Sequence, residues 1–120
     1  MTEKNLSIGV LLDFYKELLS TSQSEALHQY YNEDFSLSEI AENLGITRQG
    51  VYENIKRGEE LLLGFERTLA LAEKSRRIGI QLQKITAEAQ MLKEHAEGAF
   101  TVNAAEKILM LTEEIHRDLQ

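Results

Sequence analysis

The sequence predicts an all-α protein, and three observations carry that prediction. There is no proline in 120 residues, so long uninterrupted helices are allowed. Strand-like alternation is scarce, while apolar residues recur at helical spacings of 3 and 4. Residues 36–58 hold two short helical patterns joined at a single glycine, Gly45, which is a helix-turn-helix in sequence form. The expected architecture is a helical bundle in residues 1–64 containing that motif. Amphipathic C-terminal helices follow in residues 65–120, as an arm suited to dimerisation.

A first helix is expected over residues 6–19. Ile8, Leu11, Leu12, Tyr15, Leu18 and Leu19 form its apolar stripe, with Asp13, Lys16 and Glu17 opposite. Ser20, Thr21 and Ser22 make a polar break, and Ser22 with Glu25 reads as a capping box. The helix it opens carries Ala26, Leu27, Tyr30 and Tyr31. Residues 32–34 read as a solvated loop anchored by Phe35.

The helix-turn-helix comes next. Ser36 and Glu39 form a second capping box, in which hydroxyl and carboxylate satisfy orphan N–H groups reciprocally. Leu37, Ile40, Ala41 and Leu44 then share one face. Gly45 stands where a helix C-terminus needs a left-handed residue, and Thr47 is placed to N-cap the second helix. Ile46 is expected to dip into the core, so that Ala41, Leu44, Ile46, Val51 and Ile55 are buried together. Gly58 lies on the same apolar face, where backbones could approach closely.

The second helix does not stop at Gly58, because Leu62, Phe65, Leu69 and Ala72 continue its apolar spacing. The phase shifts over residues 74–79, so a bend is expected there, with Lys74, Arg76 and Arg77 as a solvated hinge. Ile78, Leu82, Ile85, Ala89, Leu92 and Ala96 then form a heptad seam, short of the length of an autonomous coiled coil. Gly98 is expected to end it. Thr101, or Asn103 with Glu106, would cap a last helix bearing Ala104, Ile108, Leu111, Ile115 and Leu119. Seam and stripe could cover each other in one hairpin. With Leu62, Phe65 and Leu69 also facing outward, there is more apolar surface than two helices bury alone. The expectation is a homodimer through Leu62, Phe65, Leu69, Ile78, Leu82, Ile85, Leu92, Ile108, Leu111 and Ile115.

Composition bounds the function. The chain is 42% hydrophobic and 28% charged, which is globular rather than disordered. The lack of cysteine excludes disulfide and thiolate chemistry. No apolar run approaches the ~20 residues of a membrane span, and the polar start is unlike a signal peptide; a cytoplasmic protein is expected. His28, His95 and His116 fall on separate helices, with no second histidine at i+4, so no metal site is expected. The pairs Glu33/Asp34, Glu59/Glu60 and Glu113/Glu114 are sequence neighbours and do not face one another on a helix. With no base beside Ser20, Ser22 or Ser24 and no glycine-rich phosphate loop, neither an enzyme, a cofactor nor a small-molecule substrate is expected.

Thr47, Arg48, Gln49, Tyr52, Glu53, Lys56 and Arg57 are the candidate DNA-binding residues. The first turns of such a helix reach base edges in a major groove. There Arg reads guanine and Gln reads adenine, both bidentately. The same residues also read as a mixed polar face left in water. Charge argues for the second view: residues 1–60 hold 5 cations and 11 anions, a net of −6. DNA-binding domains gain most of their non-specific affinity from cations.

Several runs carry a resemblance. They are Thr21-x-Gln23-x-Glu25-Ala26-Leu27, Tyr30-Tyr31, Ser36-Leu37-Ser38-Glu39-Ile40-Ala41, Leu44-Gly45-Ile46 and the run from Arg48 to Arg57. Together they resemble region 4 of bacterial sigma factors, and still more the YlxM family of helix-turn-helix proteins. The similarity runs from about residue 11 to 62. It implies a sigma-region-4-like fold in a bacterial, Gram-positive, cytosolic regulatory protein. It also implies a link to the signal recognition particle pathway, through gene neighbourhood with the particle's GTPases. Gly58 stands where sigma-like sequences usually carry Ala. Two functions follow as expectations: a DNA-binding regulator, or an adaptor acting on signal recognition particle components without binding DNA.

Overall fold

A computed structural model describes residues 6–119. The first five residues, which include the charged Glu3 and Lys4 and the polar start, lie outside the described residues, as does Gln120. The order of elements is α1 (Leu6–Tyr15), a 3-10 turn (Lys16–Leu18), α2 (Thr21–Tyr31), α3 (Leu37–Leu44), α4 (Arg48–Leu69), α5 (Leu71–His95) and α6 (Ala99–Asp118). The fold is all-α, with no strand among the described residues. The chain divides into two compact units, residues 1–72 and 73–120. The expected boundary at 64/65 falls inside α4.

In the first unit the polar caps decide where helices begin. Ser36 Oγ accepts from Glu39 N–H at 3.1 Å, and Glu39 Oε1 accepts from Ser36 N–H at 3.2 Å. The box at α2 is not Ser22 with Glu25 but Ser20 with Gln23, whose reciprocal bonds are 3.2 and 3.1 Å. Ser20 is extended (φ −65°, ψ 158°) directly after the 3-10 turn, and Gln serves at the third helical position as well as Glu. That tight turn also ends α1 at Tyr15, four residues earlier than expected, and leaves Leu18 exposed.

The core of this unit gathers Ile8, Leu11, Leu12 and Tyr15 of α1 with Ala26, Leu27 and Tyr30 of α2, Ile40 of α3, and Val51, Ile55 and Leu62 of α4. Ala41 and Leu44 are half-buried against it. Ile46 is not in it. Its N–H bonds back to Ala41 O at 3.1 Å, closing the end of α3. Its side chain reaches over Gly50 and stays 39% exposed. Leu62 and Phe65, expected to face outward, also belong here: Leu62 is fully buried, and the Phe65 ring sits 5.8 Å from that of Tyr15. Only Leu69 of the three is exposed.

The break after α4 comes at Ala70, which takes the left-handed conformation (φ 54°, ψ 35°). Residues 74–79, where a bend was expected, run through the unbroken α5. The reason is polar and tertiary. Tyr15 Oη donates to Glu66 Oε1 at 2.6 Å and accepts from Leu71 N–H at 3.0 Å. Glu66 Oε1 also accepts from Ala72 N–H at 3.1 Å. Two orphan donors at the start of α5 are thereby satisfied.

The second unit is an antiparallel hairpin. Thr86 Oγ1 donates to Thr112 Oγ1 at 3.2 Å, and Lys93 pairs with Glu106 at 3.7 Å. Its buried line is Leu82 and Ala89 on α5 with Ala105 and Thr112 on α6. This phase differs from the one expected. Ile78, Ile85 and Leu92 of the seam stay exposed, as do Ala104, Ile108, Leu111 and Ile115 of the stripe. α6 starts at Ala99, directly after Gly98 (φ 97°), so Thr101 and Asn103 lie inside the helix rather than capping it.

Candidate nucleic-acid interface

The turn before α4 is set by two residues. Gly45 (φ 69°, ψ 32°) ends α3 with its N–H bonded to Ala41 O, a conformation that costs an L-residue strain. Thr47 (φ −75°, ψ 156°) then caps α4, its Oγ1 accepting from Gly50 N–H at 2.9 Å. The Thr47 hydroxyl is therefore engaged in the cap rather than held out toward a ligand.

α4 buries Val51, Ile55, Gly58 and Leu62 and turns the other candidates outward. Arg48 and Gln49 are exposed in the first turn, Tyr52 is half-buried, and Glu53, Lys56 and Arg57 are exposed. Gln49 Nε2 donates to Glu53 Oε1 at 3.4 Å, one turn on. The structure thus brings Gln49, Tyr52, Glu53, Lys56 and Arg57 onto one outward half of one helix; Arg48 keeps the phase of buried Val51 and Ile55 and is exposed because it stands in the first turn, ahead of the core. That half opens at a helix N-terminus, which favours an anion.

Two tyrosines brace the helix from behind. Tyr15 reaches Glu66, and Tyr31 Oη donates to Glu59 Oε1 at 2.6 Å. Burial first, and then the bond to Glu66, raises the Tyr15 hydroxyl above its ordinary value. Sequence reading missed both braces, which link residues 51 and 28 positions apart; no local pattern marks them. They also change the charge argument. Glu59 and Glu66 are turned to tyrosine hydroxyls and half-buried. Among the exposed charged residues of residues 48–60, Arg48, Lys56 and Arg57 stand against Glu53 and Glu60, a local +1 within an acidic unit.

The remaining candidate chemistry is dispersed. His28 is exposed and bonds Glu33 at 3.0 Å and Asn32 at 2.8 Å. Arg76 is bound by Glu73 through two bonds of 3.0 and 2.7 Å, which lower the Glu73 carboxyl and raise the guanidinium. The cluster of Lys74, Arg76 and Arg77 is thus partly neutralised. Among the described residues, no three His, Asp or Glu side chains gather where a metal ion could be held. Nor, among the described residues, is any helix long and apolar enough to cross a membrane.

Comparison with known proteins agrees with this geometry. Residues 2–101 match the family described as "Putative helix-turn-helix protein, YlxM / p13 like". UPF0122 protein YlxM of Bacillus subtilis is 39% identical over 106 residues, covering 88% of this chain and 96% of that protein. A UPF0122 protein of Thermoanaerobacter pseudethanolicus is 37% identical over 120 residues, covering 100% of this chain and 97% of that one. A UPF0122 protein of Acetivibrio thermocellus reaches 51% over 72 residues, 60% of this chain and 62% of its own length. The match extends past the helix-turn-helix, through α5 and into the start of α6. The chain belongs to the UPF0122 family of YlxM/p13-like helix-turn-helix proteins.

Proposed function

We propose that the protein is a non-enzymatic, cytoplasmic DNA-binding regulator that lays the first turns of α4 in a major groove. The observation that supports this most is the braced, Thr47-capped α4, with Arg48 exposed in its first turn and Gln49, Tyr52 and Lys56 on its outward half. Arg48 and Gln49 are the base-reading residues. Tyr52, Lys56 and Arg57 suit phosphates, and Glu53 orients Gln49 or accepts from a cytosine amino group.

The test is a titration of labelled genomic DNA fragments and signal recognition particle RNA, at low and physiological salt. Arg48→Ala and Gln49→Ala relax sequence preference, whereas Lys56→Ala weakens all sequences alike. Three cations give a modest salt slope, on the order of −3 per protomer.

One observation favours a second reading. Residues 1–72 hold 6 cations and 12 anions, a field that opposes encounter with DNA. Absence of duplex binding even at about 50 mM salt, where phosphate contacts are strong, points instead to an adaptor of the signal recognition particle machinery.

A further inference from the structure

The hairpin of residues 73–120 is amphipathic from side to side rather than from inside to outside. Leu82, Ala89, Ala105 and Thr112 close it. On one side of that line, Gln83, Gln90, Glu113, His116 and Arg117 give a groove a polar rim, with Ala87 and Leu109 also in its lining. On the other side, Ile85, Leu92 and Ile108 line one apolar groove with Ala89. Helical spacing of seven adds Ile78 and Ile115 to this same side. Ile78, Ile85, Leu92, Ile108, Leu111 and Ile115 are each 37–51% exposed.

We infer that this apolar side is the docking surface for a second copy of the same hairpin, forming a two-fold four-helix bundle. Three arguments select that occupant. The first is area. Six aliphatic side chains at this exposure leave on the order of 500 Å² of apolar surface, at the upper end of a monomer's largest patch, where such patches often mark interaction sites. With the stems of the flanking Lys84 and Glu88 it approaches the roughly 800 Å² per partner that a stable dimer buries.

The second argument is pattern. Isoleucines repeat every seven residues on both helices, at 78 and 85 and again at 108 and 115. Knobs-into-holes packing of antiparallel helices uses that spacing, and a two-fold axis makes the surface its own complement. The third is charge. Residues 73–120 hold 7 cations and 8 anions, a net of −1, whereas residues 1–72 carry −6. Two hairpins therefore meet with far less repulsion than two copies of the first unit. The interface is therefore narrower than the sequence suggests: Leu62, Phe65 and Leu82 are committed inside their own units.

The experiment uses the full chain without nucleic acid, so its outcome is separate from that of the DNA titration. Sedimentation equilibrium at micromolar concentration gives a dimer whose association changes little with salt. Ile85→Asp with Ile108→Asp, at positions the hairpin does not bury, weakens association at least tenfold with the helical circular dichroism retained. The chain has no cysteine, so single-cysteine variants map the surface directly. With a flexible bis-maleimide that reaches residues near the two-fold axis as well as on it, Ile85→Cys or Ile108→Cys gives a covalent dimer, and Gln90→Cys or Glu113→Cys on the polar side does not. A monomer throughout the concentration range overturns the inference. So does a double-aspartate variant that dimerises like the parent, or cross-linking confined to the polar side. Should the double variant lose its helices, the cysteine map decides alone.

Discussion

At Gly58 a Cβ would stand 2.6 Å from Leu27 Cδ1 and 3.3 Å from Leu27 Cγ. Leu27 is fully buried and has nowhere to swing. α2 and α4 cross here at a distance that only a glycine permits. Gly→Ala in a helix interior ordinarily gains about 1 kcal/mol; overpacking a core costs about 1–3. Gly58→Ala should therefore destabilise the protein despite better propensity. Gly64→Ala on the same helix meets only an Arg67 guanidinium nitrogen at 3.7 Å and should stabilise it by up to about 1 kcal/mol. Urea denaturation of the two variants should shift the midpoint in opposite directions. Tyr15 invites a second test. Tyr15→Phe strips a partner from Glu66 and from Leu71 N–H, at a cost of about 1–3 kcal/mol. The folded state raises the Tyr15 pKa, so it favours the neutral phenol. That contribution is intact below the unfolded value of about 10 and is lost as pH rises through the folded value. The parent should lose more stability than Tyr15→Phe between neutral and strongly alkaline pH, as melting followed by circular dichroism would show.

The elbow between α3 and α4 is specified twice, by Gly45 and by Thr47, and the two can be separated. A Cβ at Gly45 meets nothing within 4 Å, so Gly45→Ala carries only the strain of a left-handed backbone, about 1–2 kcal/mol. Thr47→Ala removes the cap and should cost about 1 kcal/mol. Both losses appear in thermal melts. They differ in DNA titrations if α4 reads a groove: Gly45→Ala moves the helix relative to α3, while Thr47→Ala frays the turn that carries Arg48 and Gln49. An unchanged melting temperature for both variants would contradict the elbow described here. α4 itself is a single rod of 22 residues, about 33 Å long. The tyrosine braces hold its second half, so its first turns are positioned by the core and not by the loop alone.

The two units of the molecule differ in what they bury. Among the described residues, the eleven of the main cluster lie between Ile8 and Leu62, and the polar latch closes by Ala72. Residues 1–72 should therefore fold alone, with a cooperative melt that does not depend on concentration. The hairpin buries only Leu82, Ala89, Ala105 and Thr112 among its described residues, too little to offset the entropy of ordering so short a chain. A fragment of residues 73–120 should gain helix as its concentration rises. Far-UV circular dichroism of the two fragments over a dilution series checks both statements, and a hairpin equally helical at every dilution would refute the second.

Local chemistry in the sequence determined that the chain is helical, where α3 and α4 begin, and that the elbow turns at Gly45. Each of these is settled within about four residues, by a hydroxyl reaching an N–H or a glycine free of Cβ strain. The outward candidates Gln49, Glu53, Lys56 and Arg57 were legible for the same reason, since a helical period turns them away from Val51 and Ile55; Arg48 keeps the phase of Ile55 and is outward only because the helix starts there. The tertiary structure decided what that period cannot. It ended α4 at Leu69, because Tyr15 caps α5 from 56 positions away. It drew Leu62 and Phe65 inward and left Ile46 over Gly50. In the hairpin it chose which side of each amphipathic helix is inside. A repeat of 3 and 4 defines a face wide enough for two phases, and the phase that places Leu82, Ala89, Ala105 and Thr112 inside is the one the hairpin takes. The isoleucines were thereby left facing outward.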